Sequence, residues 1–222
     1  MPDIDLFPLR LSLQVAAVAT AACLVVGVAL AWALSRRRFW GRSLVEALVT
    51  LPLVLPPTVL GYYLLQVLGR QTAIGRFLEG TFGISIAFSW LGAAVASAVV
   101  ALPLMARSAQ AALEGVDPTL ERVARTLGRS NLAVFLAVTL PLAWRGIAAG
   151  TVLTFARAMG EFGATVMVAG NIPERTQTMS VAIFDAWQAG DMALTNTLAA
   201  ILTATSVVSI AFITWLIRLP RW

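Results

Sequence analysis

Five apolar runs, each long enough to carry an α-helix through a bilayer, constrain this chain more than any other feature. A membrane-crossing helix needs about 20 mostly apolar residues. Residues 11–34 are interrupted only by Ser12, Gln14 and Thr20. Residues 44–68 carry Pro52, Pro56 and Pro57, and residues 84–106 carry Pro103. Residues 142–169 contain Arg157 and Glu161, and residues 194–217 are apolar with scattered Thr and Ser. The first run is too long for the apolar part of a signal peptide and lacks a convincing cleavage site, so it reads as a retained span. The expected fold is an all-α integral membrane protein of about five transmembrane helices. Residues 1–222 read as one transmembrane unit, with no internal repeat, low-complexity tract or soluble domain.

Composition agrees and excludes several chemistries. The 222 residues are 59% hydrophobic and 12% charged, against roughly 25% charged in a soluble domain. All sixteen basic residues are arginine, and histidine is absent. Without lysine there is no phosphate-binding P-loop and no Schiff base. Without histidine there is no Ser-His-Asp triad and no histidine metal site. Cys23, the single cysteine, cannot form an internal disulfide and reads as a packing residue in an apolar run. The net charge of +5 does not point to nucleic acid, because the arginines are scattered between apolar blocks rather than gathered on one face.

Those arginines set an orientation. Arg36, Arg37, Arg38, Arg42, Arg107, Arg122, Arg125, Arg129, Arg218 and Arg221 fall on one side of a five-span arrangement, with Arg145 near the same face. Arg10, Arg70, Arg76 and Arg175 fall on the other. Basic loops stay cytoplasmic, so the N-terminus is expected outside and the C-terminus in the cytoplasm.

Within the cytoplasmic segment 107–141, the stretch from Glu114 to Pro141 is the most informative. Asp117 suits an N-cap, Pro118 the first helical position and Gly128 the C-terminal stop. Between them Leu120, Val123, Ala124 and Leu127 follow one helical face, while Glu121, Arg122 and Arg125 take the other. A helix of about ten residues is not stable alone in water, so it needs a docking surface. A second helix is expected from Ser130 or Asn131 toward Pro141. The segment is either a connector on the bilayer surface or an element that docks a cytoplasmic partner.

Gly128, nine residues and then Val138-Thr139-Leu140-Pro141 resemble the "EAA" loop of ABC-importer permeases. Arg122 and Val123 stand where that loop has Glu and its first Ala, and Glu121 lies one position early. Other segments resemble the molybdate permeases. These are Leu51-Pro-Leu-Val-Leu-Pro-Pro-Thr-Val-Leu-Gly-Tyr62, Ala87-Phe-Ser-Trp90, Ala112-Leu-Glu-Gly-Val-Asp117, Gly160-Glu-Phe-Gly-Ala-Thr165 and Asn171-Ile-Pro173. Sulfate permeases share the pattern around Gly160. The resemblance implies a type I importer permease fold and a homodimeric pore. It also implies a separate pair of ABC ATPase subunits and an extracytoplasmic oxyanion-binding protein. ATP and Mg²⁺ would be held by the ATPase, with no cofactor or metal on this chain and no catalysis by it. Glu121, Arg122, Arg125, Leu127 and Gly128 are then the expected ATPase-coupling residues, and the location is the bacterial cytoplasmic membrane.

Arg157 and Glu161 stand i, i+4 inside an apolar run, where a charge costs about 2.5–3.5 kcal/mol on insertion scales. They are either an internal ion pair that fixes packing or a brace along the translocation path. The prolines of the second run break the helical ladder. The break serves packing, or it shapes a gate from Pro56, Pro57, Gly61 and Tyr62. The expected function is the permease subunit of an ATP-driven molybdate importer, with tungstate a related cargo. The alternatives are a sulfate or thiosulfate permease of the same kind and, further off, an ion-gradient-driven transporter, which would normally show inverted repeats.

Overall fold

The computed structural model describes residues 5–36 and 40–218. Arg37, Arg38 and Arg221 of the arginine bias lie outside the described residues. All regular secondary structure among the described residues is helical. Helix α1 spans Phe7–Arg36. Two shorter helices follow, α2 over Arg42–Thr50 and α3 over Pro57–Leu68, then α4 over Ala73–Phe82. Helix α5 runs Trp90–Glu114, and α6 runs Pro118–Thr126. One turn, α7 (Asn131–Val134), leads through a π-helical turn, Phe135–Thr139, into α8 (Leu140–Met159). Helices α9 (Gly163–Ala169), α10 (Met179–Gln188) and α11 (Met192–Arg218) complete the chain.

Helices α1 and α5 form a parallel pair at the centre. Leu11 and Val15 pack with Ala93 and Ala94 at one end, and Ala31 packs with Ala109 and Leu113 at the other. Between these, Ala16, Ala19 and Cys23 meet Ala101 and Met105, with Phe155, Ala158 and Met159 of α8 closing the third side. The contact surface is largely alanine. Lipid tails give helices no hydrophobic reason to associate, so close backbone approach through small residues supplies the packing. Pro103 sits inside α5 without ending it.

Among the described residues, four helical stretches are long and apolar enough to cross a membrane: Phe7–Ser35, Trp90–Glu114, Asn131–Met159 and Met192–Ile217. A fifth crossing depends on the bent pair Arg42–Leu53 and Pro57–Leu68. The second run was expected as one kinked span over residues 44–68, but the pair is bent by 116°. Three prolines within six residues explain it. Pro52 lies in a 3₁₀ turn, Leu51–Leu53, and Pro56 and Pro57 restart the chain as α3 with Pro56 extended at the cap.

Three further boundaries differ. The third span begins at Trp90, not residue 84, because the Ser89 hydroxyl accepts the Gly92 N–H at 3.2 Å and starts the helix there. It continues to Glu114, so much of the stretch expected as loop from residue 107 is helix. The fourth span begins at Asn131, not residue 142, because the π turn carries the chain past Pro141. Leu140 N–H bonds to Phe135 O, five residues back, and this wider turn seats the proline at the start of α8. Lastly, the run 142–169 is not continuous. It breaks at Gly160–Phe162 between α8 and α9.

Two helices lie outside the five expected spans. The Thr72 hydroxyl accepts the Gly75 N–H at 3.0 Å to start α4, and Gly83, at φ 66°, ends it. The second is α10, whose Met179, Val181 and Ala182 are buried. Thr72 and Gly83 were readable cap signals; α10 carried no side-chain cap to read.

Candidate functional site: a coupling segment and two adjoining helix breaks

The caps of α6 are those expected. Asp117 Oδ1 accepts the Thr119 N–H at 2.8 Å. That bond, with Arg122 nearby, holds the Asp117 carboxyl below the usual carboxylate range. Gly128 takes φ 82°, which lets Arg129 N–H return to Ala124 O at 3.3 Å.

The faces of α6 are reversed from the expected arrangement. Leu120, Val123 and Leu127, the apolar stripe, are exposed, Leu127 at 79%. Glu121, expected on an open polar face with Arg122 and Arg125, is buried at 3% exposure. Glu121 Oε1 accepts the Thr139 hydroxyl at 2.6 Å. Its Oε2 meets Arg125 Nη2 at 3.1 Å. Arg122 stays exposed and donates to Thr119 Oγ1 at 3.2 Å. The reason is tertiary: Thr139 offers a buried hydroxyl to a carboxylate, which outcompetes amphipathic periodicity in deciding which side of α6 turns inward. Beside this contact lies a cavity of about 200 Å³ lined by Trp32, Glu121, Arg125, Asn131, Phe135 and Thr139 among others. In the sequence Thr139 stands out only as part of a spacing.

The second cluster joins the two helix breaks. Glu161 sits in the α8–α9 break and is buried. Its Oε1 accepts the Ala164 N–H at 2.8 Å, and Oε2 holds Arg157 Nη1 at 2.7 Å. The first N–H groups of α9 have no intrahelical partner, so the carboxylate satisfies one of them. Arg157 keeps a third of its side chain exposed. The two thus form an ion pair within the chain, at the break between α8 and α9.

Helix α3 lies directly against α9. A Cβ on Gly61 would stand 2.6 Å from Met167 Cβ and 3.1 Å from Ala164 Cα. One on Gly163 would stand 3.0 Å from Pro57 Cβ. The break at Pro56–Pro57 and the break at Gly160–Phe162 therefore adjoin. Broken helices free backbone groups, which membranes tolerate only beside protein or a water-filled path. Tyr62 and Tyr63 are about half exposed, with ring centres 5.8 Å apart. Gln66 donates to the Tyr62 hydroxyl at 3.0 Å. Among the described residues no group of three or more His, Cys, Asp or Glu is placed to hold a metal.

A family model described as "Binding-protein-dependent transport system inner membrane component" matches residues 24–219. The chain belongs to this family. This inner-membrane transport component is similar to the molybdenum transport system permease protein ModB of Escherichia coli K12, at 46% identity over 95% of this chain and 93% of the relative. It is likewise similar to ModB of Haemophilus influenzae, at 46% identity over 81% of this chain and 79% of that one. The sulfate transport system permease protein CysT of Salmonella typhimurium is 39% identical over 82% of this chain and 66% of its own. Two solved structures share the fold. A bacterial ABC transporter involved in the import of alginate has a TM-score of 0.77 at 15% identity, covering 96% of this chain and 78% of that one. The MetNI methionine ABC transporter, facing inward, has a TM-score of 0.68 at 19% identity, covering 95% and 93%. The transport component is thus a multi-pass membrane protein with the fold of type I ABC-importer permeases.

Proposed function

We propose that this chain is the membrane-spanning subunit of an ATP-driven importer for molybdate. The observation that carries this is 46% identity across 95% of the chain to a molybdenum transport permease. The sulfate relative matches at lower identity over a smaller share of both chains. Tungstate, as a tetrahedral dianion of the same kind, belongs to the same cargo class. Two copies of this chain form the pore, with a pair of ABC ATPase subunits in the cytoplasm and an oxyanion-binding protein outside. ATP and Mg²⁺ are bound and consumed by the ATPase; this chain binds no cofactor and catalyses nothing.

Arginine placement supports the orientation. Arg42, Arg107, Arg122, Arg125, Arg129 and Arg145 gather at the end of the helix bundle that carries α6, and Arg10, Arg70 and Arg175 lie toward the other. The N-terminus then faces out and the C-terminus in. Helix α6 is the coupling helix, presenting Leu120, Val123 and Leu127 with Arg122, Arg125 and Gly128 to a groove on the ATPase. Closure of the ATPase pair moves the two permease halves as rigid bodies. The gate forms where Pro56, Pro57, Gly61 and Tyr62 adjoin the Arg157–Glu161 break. A carboxylate there, neutralised by Arg157, neither attracts nor traps a dianion.

Reconstitution tests the proposal. Vesicles holding this chain, its ATPase and its binding protein should take up molybdate only with ATP inside, and excess sulfate should compete poorly. Uptake driven by a proton gradient without the ATPase would overturn it. Equal uptake of sulfate would move the assignment to the sulfate class.

A further inference from the structure

We infer that Glu121 and Thr139 form a latch that fixes the coupling helix to the base of α8, making Glu121 a positioning residue inside the permease rather than a contact to the ATPase. The inference rests on the reading of α6 as the coupling helix.

Helix α6 has nine residues and turns its apolar stripe away from the rest of the chain. Apolar burial therefore does little to hold it. Its inward anchor is the Glu121 carboxylate, with Ala124 half-buried beside it. Removing a carboxylate from water is costly unless charged and hydrogen-bonding partners offset it. Here the partners include Arg125 at 3.1 Å and the Thr139 hydroxyl at 2.6 Å. Thr139 is itself 1% exposed and lies eighteen positions along the chain. One end of the latch thus sits on α6 and the other on the helix that continues to the Gly160–Phe162 break.

The π turn explains why Thr139 reaches the carboxylate. A regular helix places successive side chains about 100° apart. Closing Phe135–Leu140 with a five-residue bond admits an extra residue and shifts every later side chain around the axis. Without it Thr139 would leave its position opposite Glu121. A cavity of about 200 Å³ lies beside the pair. A push on the outward stripe of α6 is therefore delivered to α8 through the charged hydrogen bond between Glu121 and Thr139.

The test uses the full complex of permease, ATPase and binding protein in vesicles. It carries Thr139→Val, Thr139→Ser and Glu121→Gln, each also with Leu127→Cys for crosslinking to the ATPase. Losing one hydrogen bond to a charged group weakens an equilibrium by about tenfold or more. Thr139→Val is expected to lower molybdate moved per ATP hydrolysed by about tenfold, with ATP hydrolysis and the Leu127→Cys crosslink retained. Thr139→Ser, which keeps the hydroxyl, should restore the ratio. Glu121→Gln keeps an acceptor for Thr139 and should fall between. A wild-type ratio in Thr139→Val with the crosslink present overturns the latch. So does a loss of ratio in Thr139→Ser equal to that in Thr139→Val. Absence of the Leu127→Cys crosslink in the otherwise unaltered complex overturns the coupling-helix reading instead.

Discussion

Glu161 accepts the backbone N–H of Ala164 at 2.8 Å, so a single carboxylate caps the helix that restarts after the break in the fourth span. The same carboxylate holds Arg157 at 2.7 Å. The two roles separate by substitution. Glu161→Gln keeps an oxygen for Ala164 and loses the ion pair, whereas Glu161→Ala loses both and leaves a buried N–H unpaired. Glu161→Ala should be less stable than Glu161→Gln by about 1–3 kcal/mol. Thermal unfolding in detergent measures the gap, and equal melting of the two would remove the cap from the account. Glu161→Gln should still form dimers yet transport poorly; wild-type uptake by that variant would take Glu161 out of the mechanism.

Close approach of α3 to α9 depends on Gly61. An alanine there places its methyl carbon 2.6 Å from Met167 Cβ, so one helix must move. Overpacking of this kind costs about 1–3 kcal/mol. Gly61→Ala should lower the unfolding temperature and reduce uptake together. Gly80→Ala is the control: it lies in α4 with open space around it. That change should be neutral or stabilising by up to about 1 kcal/mol.

Polar substitution of the outward stripe should leave the isolated chain intact. Leu120, Val123 and Leu127 are exposed, and such surface changes usually stay within about 0.5 kcal/mol. Leu120→Ser with Leu127→Ser should therefore melt like the parent but lose the ATPase on co-purification. Retention of the ATPase at parental level would place its contact elsewhere.

The Asp117 cap should be pH-sensitive. Its folded carboxyl lies below the usual range, so its contribution is present above the unfolded value of about 3.9. It fades as pH falls through the lower folded value. Hydrogen exchange at the Thr119 amide should accelerate relative to neighbouring amides on acidification over that interval. In Asp117→Asn, which caps without titrating, the acceleration should vanish. A parental profile in that variant would assign the effect to another group.

Cysteine labelling reads both burial and sidedness. Cys23 is buried, and its Sγ meets Ala98 O at 3.2 Å. The folded parent should resist maleimide and react on denaturation. Leu127→Cys should be labelled only from the cytoplasmic side and Phe77→Cys, on exposed α4, only from outside. The opposite pattern would invert the orientation.

Much of the architecture followed from local sequence. Hydropathy marked the spans, because a bilayer accepts only long apolar helices whose backbone groups are satisfied within the segment. Asp117 and Gly128 marked the ends of α6, since capping acts within a few residues. The spacing from Gly128 to Leu140-Pro141 and the segments around Pro56 and Gly160 carried the family. Other features depended on residues far apart in the chain. Hydropathy does not show that the second run bends by 116° or that the fourth breaks at Glu161, because an apolar average is blind to where a helix is interrupted. The face of α6 is hidden from the sequence for a related reason. Periodicity reports which side chains prefer burial but not what waits on the other side, and Thr139 waits there for Glu121. Sequence alone determined that this chain crosses a membrane many times and belongs with importer permeases. Tertiary structure decided which charge is locked inside and where two helix breaks meet, because buried hydrogen bonds and close backbone contacts exist only once distant segments are brought together.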